Sequence, residues 1–327
     1  MTAAPPALRR AYAMHGVTLE VRAEDSDVID AMDLRLRAFP PQDAGGAAIR
    51  CRFGFEVGER PPPAGTGRPV YETPYGALHY HPELDTLAGS LGGVALRCEP
   101  GTGQALISAP RFAGRALYFA THPLATIALM ELMERHGRFS LHAACLAAPG
   151  GRGVLLSGPS GAGKSTLALA LARSGMGILG DDIVFLRRPA SGPGAIAALG
   201  FADTLGVGSF AAERFPELRR LAAGPPADGF PKRLHRIEDV FARAPLTSCV
   251  PRALVFPEVR AGRPSALAPL AAGEALVRLA PDVLLTEPRA TQAHLAAIGD
   301  MLAQVSCYTL RSGADIERAA QLVAELV

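Results

Sequence analysis

Nine consecutive residues, Gly158-Pro159-Ser160-Gly161-Ala162-Gly163-Lys164-Ser165-Thr166, fit the phosphate-cradling pattern G-x-x-x-x-G-K-[ST]. They lie between an apolar run, Val154-Leu155-Leu156, and a second run of helical character, Leu167-Ala168-Leu169-Ala170-Leu171. That strand–loop–helix setting gives the pattern its chemistry. Backbone N–H groups of the loop and the start of the following helix must point together at an anion. In such a loop Lys164 bridges β- and γ-phosphate oxygens and Ser165 ligates Mg2+. The lysine census singles out the same residue, because of 33 basic side chains only Lys164 and Lys232 are lysines. A compact ammonium fits among phosphate oxygens where a broad planar guanidinium does not.

Two further groups stand close enough in sequence to join that loop. Asp181-Asp182 follows the short run Ile178-Leu179-Gly180. Adjacent carboxylates at a strand end can divide the roles of metal ligand and general base, and phosphoryl transfer to an unactivated hydroxyl needs both. Taken alone they would read as solvated acids at a hairpin turn. His142 enters by register. Apolar strands over 139–147 and 153–157 flank Pro149-Gly150-Gly151, which reads as a hairpin turn. A turn centred near Gly150-Gly151 puts His142 opposite Gly158, the first glycine of the loop.

The elements that must position these residues change character along the chain. The first 120 or so residues read as short strands separated by turns, with alternation over 17–21, 48–57, 70–80, 94–98 and 105–108. The Pro/Gly segment 59–69 cannot be a packed element. A helix is expected to begin at Pro123, with Leu124, Ile127, Leu129 and Leu132 at helical spacing and Gly137 as its stop. After the phosphate loop, Gly175 and Gly177 offer a C-cap. Gly/Pro-rich segments 189–194 and 224–231 read as loops. The last third alternates a strand over 253–259, helices near 273–279 and over 292–304, a strand over 305–310 and a helix over 314–326. Alternating strands and helices imply an α/β domain. The expected division is a β-rich or α+β domain over 1–121 and an α/β domain with a mixed sheet over 122–327.

Bulk properties exclude several classes. An apolar fraction of 49% and a charged fraction of 20% suit a globular chain with a large core. A net charge of +2 gives no electrostatic case for nucleic acid or an anionic membrane. Cys51, Cys98, Cys145, Cys249 and Cys307 are scattered without C-x-x-C spacing, which fits reduced thiols in cytoplasm. No apolar leader opens the sequence, and no run reaches ~18 uninterrupted apolar residues, so a soluble cytoplasmic protein is expected. His79-x-His81 shares a strand face but has no neighbouring carboxylate or cysteine, and with His15, His122, His136, His235 and His294 it reads as structural or exposed. The sequence leaves open whether the chain forms a homo-oligomer.

The stretch LHAACLAAPGGRGVLLSGPSGAGKSTLALALARSGMGILGDDIV resembles the core of the HPr kinase/phosphorylase family, whose catalytic domain is related to phosphoenolpyruvate carboxykinase. In that family a histidine on the preceding strand, a glycine-rich loop and a D-D pair come in this order at close to this spacing. The resemblance implies a P-loop kinase domain of that type, with ATP and Mg2+ as cosubstrate and cofactor. It carries family roles onto His142, the loop residues from Gly158 to Ser165, Asp181 and Asp182. The D-D pair would deprotonate an acceptor serine and help hold the metal, with Asp181 as base and Asp182 on the metal side. The family's E-x-R-G-x-G motif is echoed by Asp203-Thr204-Leu205-Gly206-Val207-Gly208, with Asp for Glu and Leu205 in place of the arginine. Asp203 is thereby a second candidate metal-side carboxylate. The N-terminal half shows no match. The pattern is also similar to divergent HPr-kinase-like proteins of peptide-modifying systems, including lasso-peptide kinases. That likeness implies an acceptor serine on a peptide or small protein. A small-molecule kinase, a nucleotide-gated module without transfer and a plain ATPase stay open on the same residues.

Lys232, in the loop-like segment Pro231-Lys232-Arg233-Leu234-His235-Arg236, is the other retained lysine. With Arg233 or Arg236 it would reach the transferred phosphoryl group or an acidic substrate when that loop closes. A surface lysine that has not drifted is the competing explanation. Lys232→Ala is expected to weaken phosphoryl transfer or substrate affinity in a steady-state assay, and unchanged values of both would remove the idea.

Overall fold

The computed structural model describes residues 7–42, 48–58, 67–189, 194–201, 205–207, 213–215, 218–219, 233–260, 262–283 and 286–327. The chain divides into two compact units. The first comprises Met1–Arg138 and Leu284–Ala293, and the second Phe139–Val283 and His294–Val327. The division thus falls after Arg138 instead of after residue 121, and a late segment of the chain returns to the first unit.

The first unit is built on an eight-stranded sheet of β1 (Leu8–Met14), β2 (Val17–Ala23), β3 (Cys51–Val57), β4 (Arg68–Thr73), β5 (Gly76–His81), β6 (Thr86–Leu91), β7 (Val94–Glu99) and β8 (Gln104–Ala109), in the order β1-β2-β3-β8-β7-β6-β5-β4. Two neighbour pairs, β2–β3 and β3–β8, are parallel, so the sheet is mixed. Helix α1 (Ser26–Leu36) makes the crossover from β2 to β3, and Asp25 caps it by accepting from the Asp27 N–H at 2.9 Å. The stretch 70–80, expected as one strand, is two. Pro74 interrupts the ladder, and Thr73 Oγ1 accepts from the Tyr75 N–H at 3.1 Å to turn the chain.

The helix expected to begin at Pro123 begins instead at Arg115. Helix α2 (Arg115–Phe119) runs through a π turn (Ala120–Leu124) into α3 (Ala125–Glu134). The widened turn accommodates Pro123, which has no N–H to give, while the Ala125 N–H reaches back to the Ala120 carbonyl. Gly137, at φ +70°, follows its end. By length and composition this segment of 20 residues could cross a bilayer, but 61% of its apolar window is buried within the structure. It packs against β3, β7 and β8 as a core helix.

The second unit begins with the hairpin. Strands β9 (Phe139–Ala147) and β10 (Arg152–Ser157) pair antiparallel from Gly153↔Ala147 to Ser157↔Ala143. The Gly151 N–H bonds to the Ala148 carbonyl and the Ala148 N–H to the Arg152 carbonyl, both at 2.9 Å, with Gly151 at φ +75°. A three-residue loop of this kind pins the register. Helix α4 (Lys164–Arg173) follows β10, and then come β11 (Gly177–Gly180), β12 (Ile183–Arg187), β13 (Ala197–Gly200) and the two-stranded pair β14 (Leu205–Val207) and β15 (Arg233–His235). The unit closes with α5 (Ile237–Phe241), β16 (Ser248–Val259), β17 (Ala266–Pro269), α6 (Ala272–Leu279), the part of α7 (Pro288–Gln304) from His294 onward, β18 (Ser306–Ser312) and α8 (Ile316–Ala324), the first residues of α7 belonging to the first unit. Its main sheet runs β10-β9-β12-β13-β16-β18-β17, and a further β10–β16 pairing closes five of these strands into a ring. Strands β10, β16 and β18 are parallel, so their carboxyl ends share one edge. Leu167, Leu169 and Leu171 of α4 lie in one buried cluster with Ile316, Ala319 and Val323 of α8 and with Val154 and Leu156 of β10. Each buried leucine contributes about 1.5–3 kcal/mol, so this helix pair anchors the element that follows the glycine-rich loop.

Glu131, on α3, is 1% exposed and accepts a hydrogen bond from Thr286 Oγ1 at 3.0 Å within the first unit. Burial, reinforced by the charge of Glu134, pushes its carboxyl from the ordinary 4.5 up to about 8. A carboxyl whose folded value lies above its unfolded one favours folding while it stays protonated. Its contribution is therefore complete below about pH 4.5 and declines as the pH rises toward about 8. Glu131→Gln keeps an acceptor for Thr286 and removes the charge. Thermal melts from about pH 5 to 8.5 should show the variant losing less stability than wild type across this window, by several degrees at the alkaline end; parallel curves would refute the assignment.

Candidate functional site

The glycine-rich loop leaves β10 at Ser157 and enters α4 at Lys164. Gly161 and Gly163 adopt φ of +83° and +98°, in the left-handed range that glycine occupies at least cost. A Cβ on Gly161 would meet nothing within 4 Å, so only the backbone conformation calls for glycine there. At Gly163 a Cβ would also come within 3.4 Å of Val259 Cγ2. The N–H groups of Lys164, Ser165 and Thr166 open the helix, where helical geometry supplies no carbonyl partner. Lys164 is 8% exposed, and its ammonium donates to the carbonyls of Gly158 at 2.5 Å and Pro159 at 3.3 Å. The loop is thus wrapped around its own lysine. Ser165 and Thr166 are half-buried, while Pro159, Ser160 and Gly161 are exposed.

The far end of α4 returns the chain to β9. The Gly175 N–H bonds to the Ala172 carbonyl and the Met176 N–H to the Leu171 carbonyl, with Gly175 at φ +107°. This pairing satisfies the last carbonyls of the helix and turns the chain sharply. Gly175 alone supplies this ending. Gly177 belongs to β11, where a Cβ would fall 2.5 Å from Leu246 Cδ1.

Strand β11 pairs with β9 on the edge away from β10, and β12 continues along the same edge. Gly180 faces Cys145 and Ile183 faces His142, so the offset is the same on both sides of Asp181-Asp182. The two acids form a bend between paired segments, across from Ala143 and Ala144. Gly180 permits that bend, since a Cβ there would lie 2.8 Å from the Ile183 carbonyl oxygen.

The hairpin register read from the sequence holds to the last paired residue of β10, with His142 the next residue of β9 beyond Ala143↔Ser157. Ser157 Oγ, fully buried, donates to the His142 carbonyl at 3.1 Å and ties the root of the loop to that position. His142 Nε2 stands 3.0 Å from Asp182 Oδ1, with side chains 37% and 78% exposed. Asp181 is half-buried. The structure therefore brings His142 and Asp182 into contact beside β10's exit into the loop. Asp203 and Lys232, the remaining sequence candidates, lie outside the described residues. Arg236, considered with Lys232, is held by Asp239 through contacts of 2.8 and 2.5 Å.

Among the described residues, no group of three or more His, Cys, Asp or Glu side chains is arranged to hold a metal. The oxygen donors present, the Ser165 hydroxyl and the carboxylates of Asp181 and Asp182, are of the hard type Mg2+ accepts, and Mg2+ commonly takes only one or two carboxylates together with substrate phosphates. The Cys145 and Cys249 thiols share a hydrogen bond at 3.6 Å and form no disulfide, and all five cysteines are reduced and buried. The contact with Cys249 and burial push the Cys145 thiol well above its ordinary range, which leaves it inert.

One neighbour of the loop was not visible in the sequence. Val259 ends β16, a strand legible from its apolar run, but the parallel alignment that sets it beside Gly163 joins segments about a hundred residues apart.

No protein-family profile matches this chain, and no curated protein sequence matches it. Among solved structures, it is similar to the Hpr(Ser) kinase/phosphatase from Coxiella burnetii at 10% identity and a TM-score of 0.31, covering 57% of this chain and 88% of that one. The likeness is distant, and nothing about activity follows from it.

Gly161→Ala should cost about 1–2 kcal/mol through backbone strain alone. Gly163→Ala should cost about as much, because its methyl would reach only ordinary van der Waals contact with Val259 Cγ2 at 3.4 Å. Chemical denaturation of both variants checks this, and a variant as stable as wild type would contradict the left-handed backbone described at that glycine.

Proposed function

We propose that the second unit is an ATP- and Mg2+-dependent phosphotransferase that moves the γ-phosphoryl group to a serine hydroxyl of a peptide or small protein. One observation carries this reading: the glycine-rich loop issues from one side of β9 and Asp181-Asp182 interrupts the other, with His142 paired to Asp182 at 3.0 Å between them. The motif order read from the sequence supports it independently.

In this reading Lys164 exchanges the carbonyls of Gly158 and Pro159 for phosphate oxygens, which are charged and therefore stronger acceptors. The loop N–H groups and the start of α4 hold the phosphate chain. Ser165 and Asp182 would hold the metal, with Asp203 as a further candidate, and His142, 3.0 Å from Asp182 Oδ1, would fix the orientation of that carboxylate. A bound Mg2+ would supply positive charge to offset the charge that develops on the transferred group. Asp181, half-buried in the bend that interrupts the pairing along β9, accepts the proton of the acceptor hydroxyl. Lys232 remains a candidate contact to the transferred group. The first unit is the candidate for acceptor recognition.

The test is incubation with Mg-ATP and the peptides encoded beside the gene, read by mass spectrometry. Phosphate should appear on a peptide serine. It should be lost in Lys164→Ala and fall by roughly 10²-fold or more in Asp181→Asn. ATP turnover that depends on a metabolite, without phosphate on any peptide, would move the acceptor to a small molecule. Full biological activity of Asp181→Asn would leave only a nucleotide-gated module.

A further inference from the structure

We propose that Val259 forms an apolar wall of the phosphate loop, closing its β16 side and shielding the bound phosphate chain from water. This inference rests on the phosphotransferase reading and extends it to a residue outside the loop, the histidine and the acid pair.

Strand β16 runs parallel to β10 with Leu156 opposite Val255, and it continues past the point at which β10 gives way to the loop. Pro257, Glu258 and Val259 therefore flank the loop on the side away from β9. The contact falls at Gly163, where a Cβ would lie 3.4 Å from Val259 Cγ2. Gly163 immediately precedes Lys164, so this is the point at which the loop meets the helix.

The environment of Val259 gives no packing reason for an aliphatic residue. The side chain is 62% exposed, whereas β16 is continuously buried from Ala253 to Pro257. Its sequence neighbours are ionic: Glu258 pairs with Arg260 at 3.1 Å and with Arg278 at 3.3 Å. A branched apolar side chain there leaves hydrocarbon in water on the side that faces Gly163.

Val259 is also firmly presented. It pairs with Ser312 in the parallel β16–β18 ladder, and the Arg260 N–H donates to the Ser312 carbonyl at 2.8 Å. A residue on a strand end held by a ladder keeps its position better than one on a free loop. Its side chain thus stands beside Gly163, the residue at which the loop passes into the helix. Excluding water on that side lowers the local dielectric, and hydrogen bonds to a charged phosphate strengthen accordingly.

The test is calorimetric titration of wild type, Val259→Ala and Val259→Ile with a β,γ-imido analogue of ATP in the presence of Mg2+. Because the residue is exposed, both variants should melt close to wild type, which separates binding from folding. Val259→Ala, which opens the wall, should bind roughly threefold to tenfold more weakly. Val259→Ile, which preserves it, should bind as wild type or more tightly. If wild type binds the analogue and Val259→Ala binds it equally well, the wall is overturned while the phosphotransferase reading stands. If wild type fails to bind, both fall together.

Discussion

Strand β9 is the constraint on which the candidate site depends. A strand has two edges, and β9 spends them on two different pieces of the site. One edge pairs with β10 and aims the glycine-rich loop, and the other pairs with β11 and β12 and presents Asp181-Asp182. Because both ladders share one backbone, a slip of β9 by one residue would put loop and acids out of register with His142 together and turn His142 to the other face. The Pro149-Gly150-Gly151 turn prevents that slip on one edge. On the other, Leu146, opposite Ile178, and Leu141, opposite Val184, are buried, which favours the observed register.

The glycines follow from this arrangement. The loop must turn from β10 into α4 within a few residues, which needs left-handed backbone at Gly161 and Gly163. At the far end of the helix, Gly175 turns the chain back so that β11 can reach β9. Gly180 then allows the bend in which the acids sit. Helix α4 itself is secured by α8 and by the buried faces of β9 and β10, so the loop is suspended between two well-packed elements. A closed ring of strands, in place of an open sheet, brings β16 to the third side of the loop.

Much of this was legible in the residues, and the misses have physical causes. The hairpin and the position of His142 followed from turn chemistry and alternation, because cross-strand neighbours in a tight hairpin are a local property. The strands over 17–21, 94–98 and 105–108 were legible for the same reason. By contrast, β1 and β6 were not anticipated. Pro123 was read as a helix start, yet it lies in a π turn of a longer helical segment, which packing against β3, β7 and β8 sustains. The unit boundary was misplaced together with that helix, since the residues from Arg115 to Glu134 belong to the core of the first unit.

By itself, the sequence determined the chemistry available: the glycine-rich loop with its rare lysine, the adjacent acids, and the histidine set against the loop by hairpin register. These are properties of residue type and of short-range geometry, where spacing along the chain translates directly into spacing in space. Only the tertiary structure decided that β11 and β12 share β9, that Asp182 is the acid meeting His142, that β16 flanks the loop with Val259, and that 284–293 returns to the first unit. Each of these joins segments distant along the chain, and such pairings arise from burying both faces of a sheet and closing its edges, which no local pattern of residues encodes.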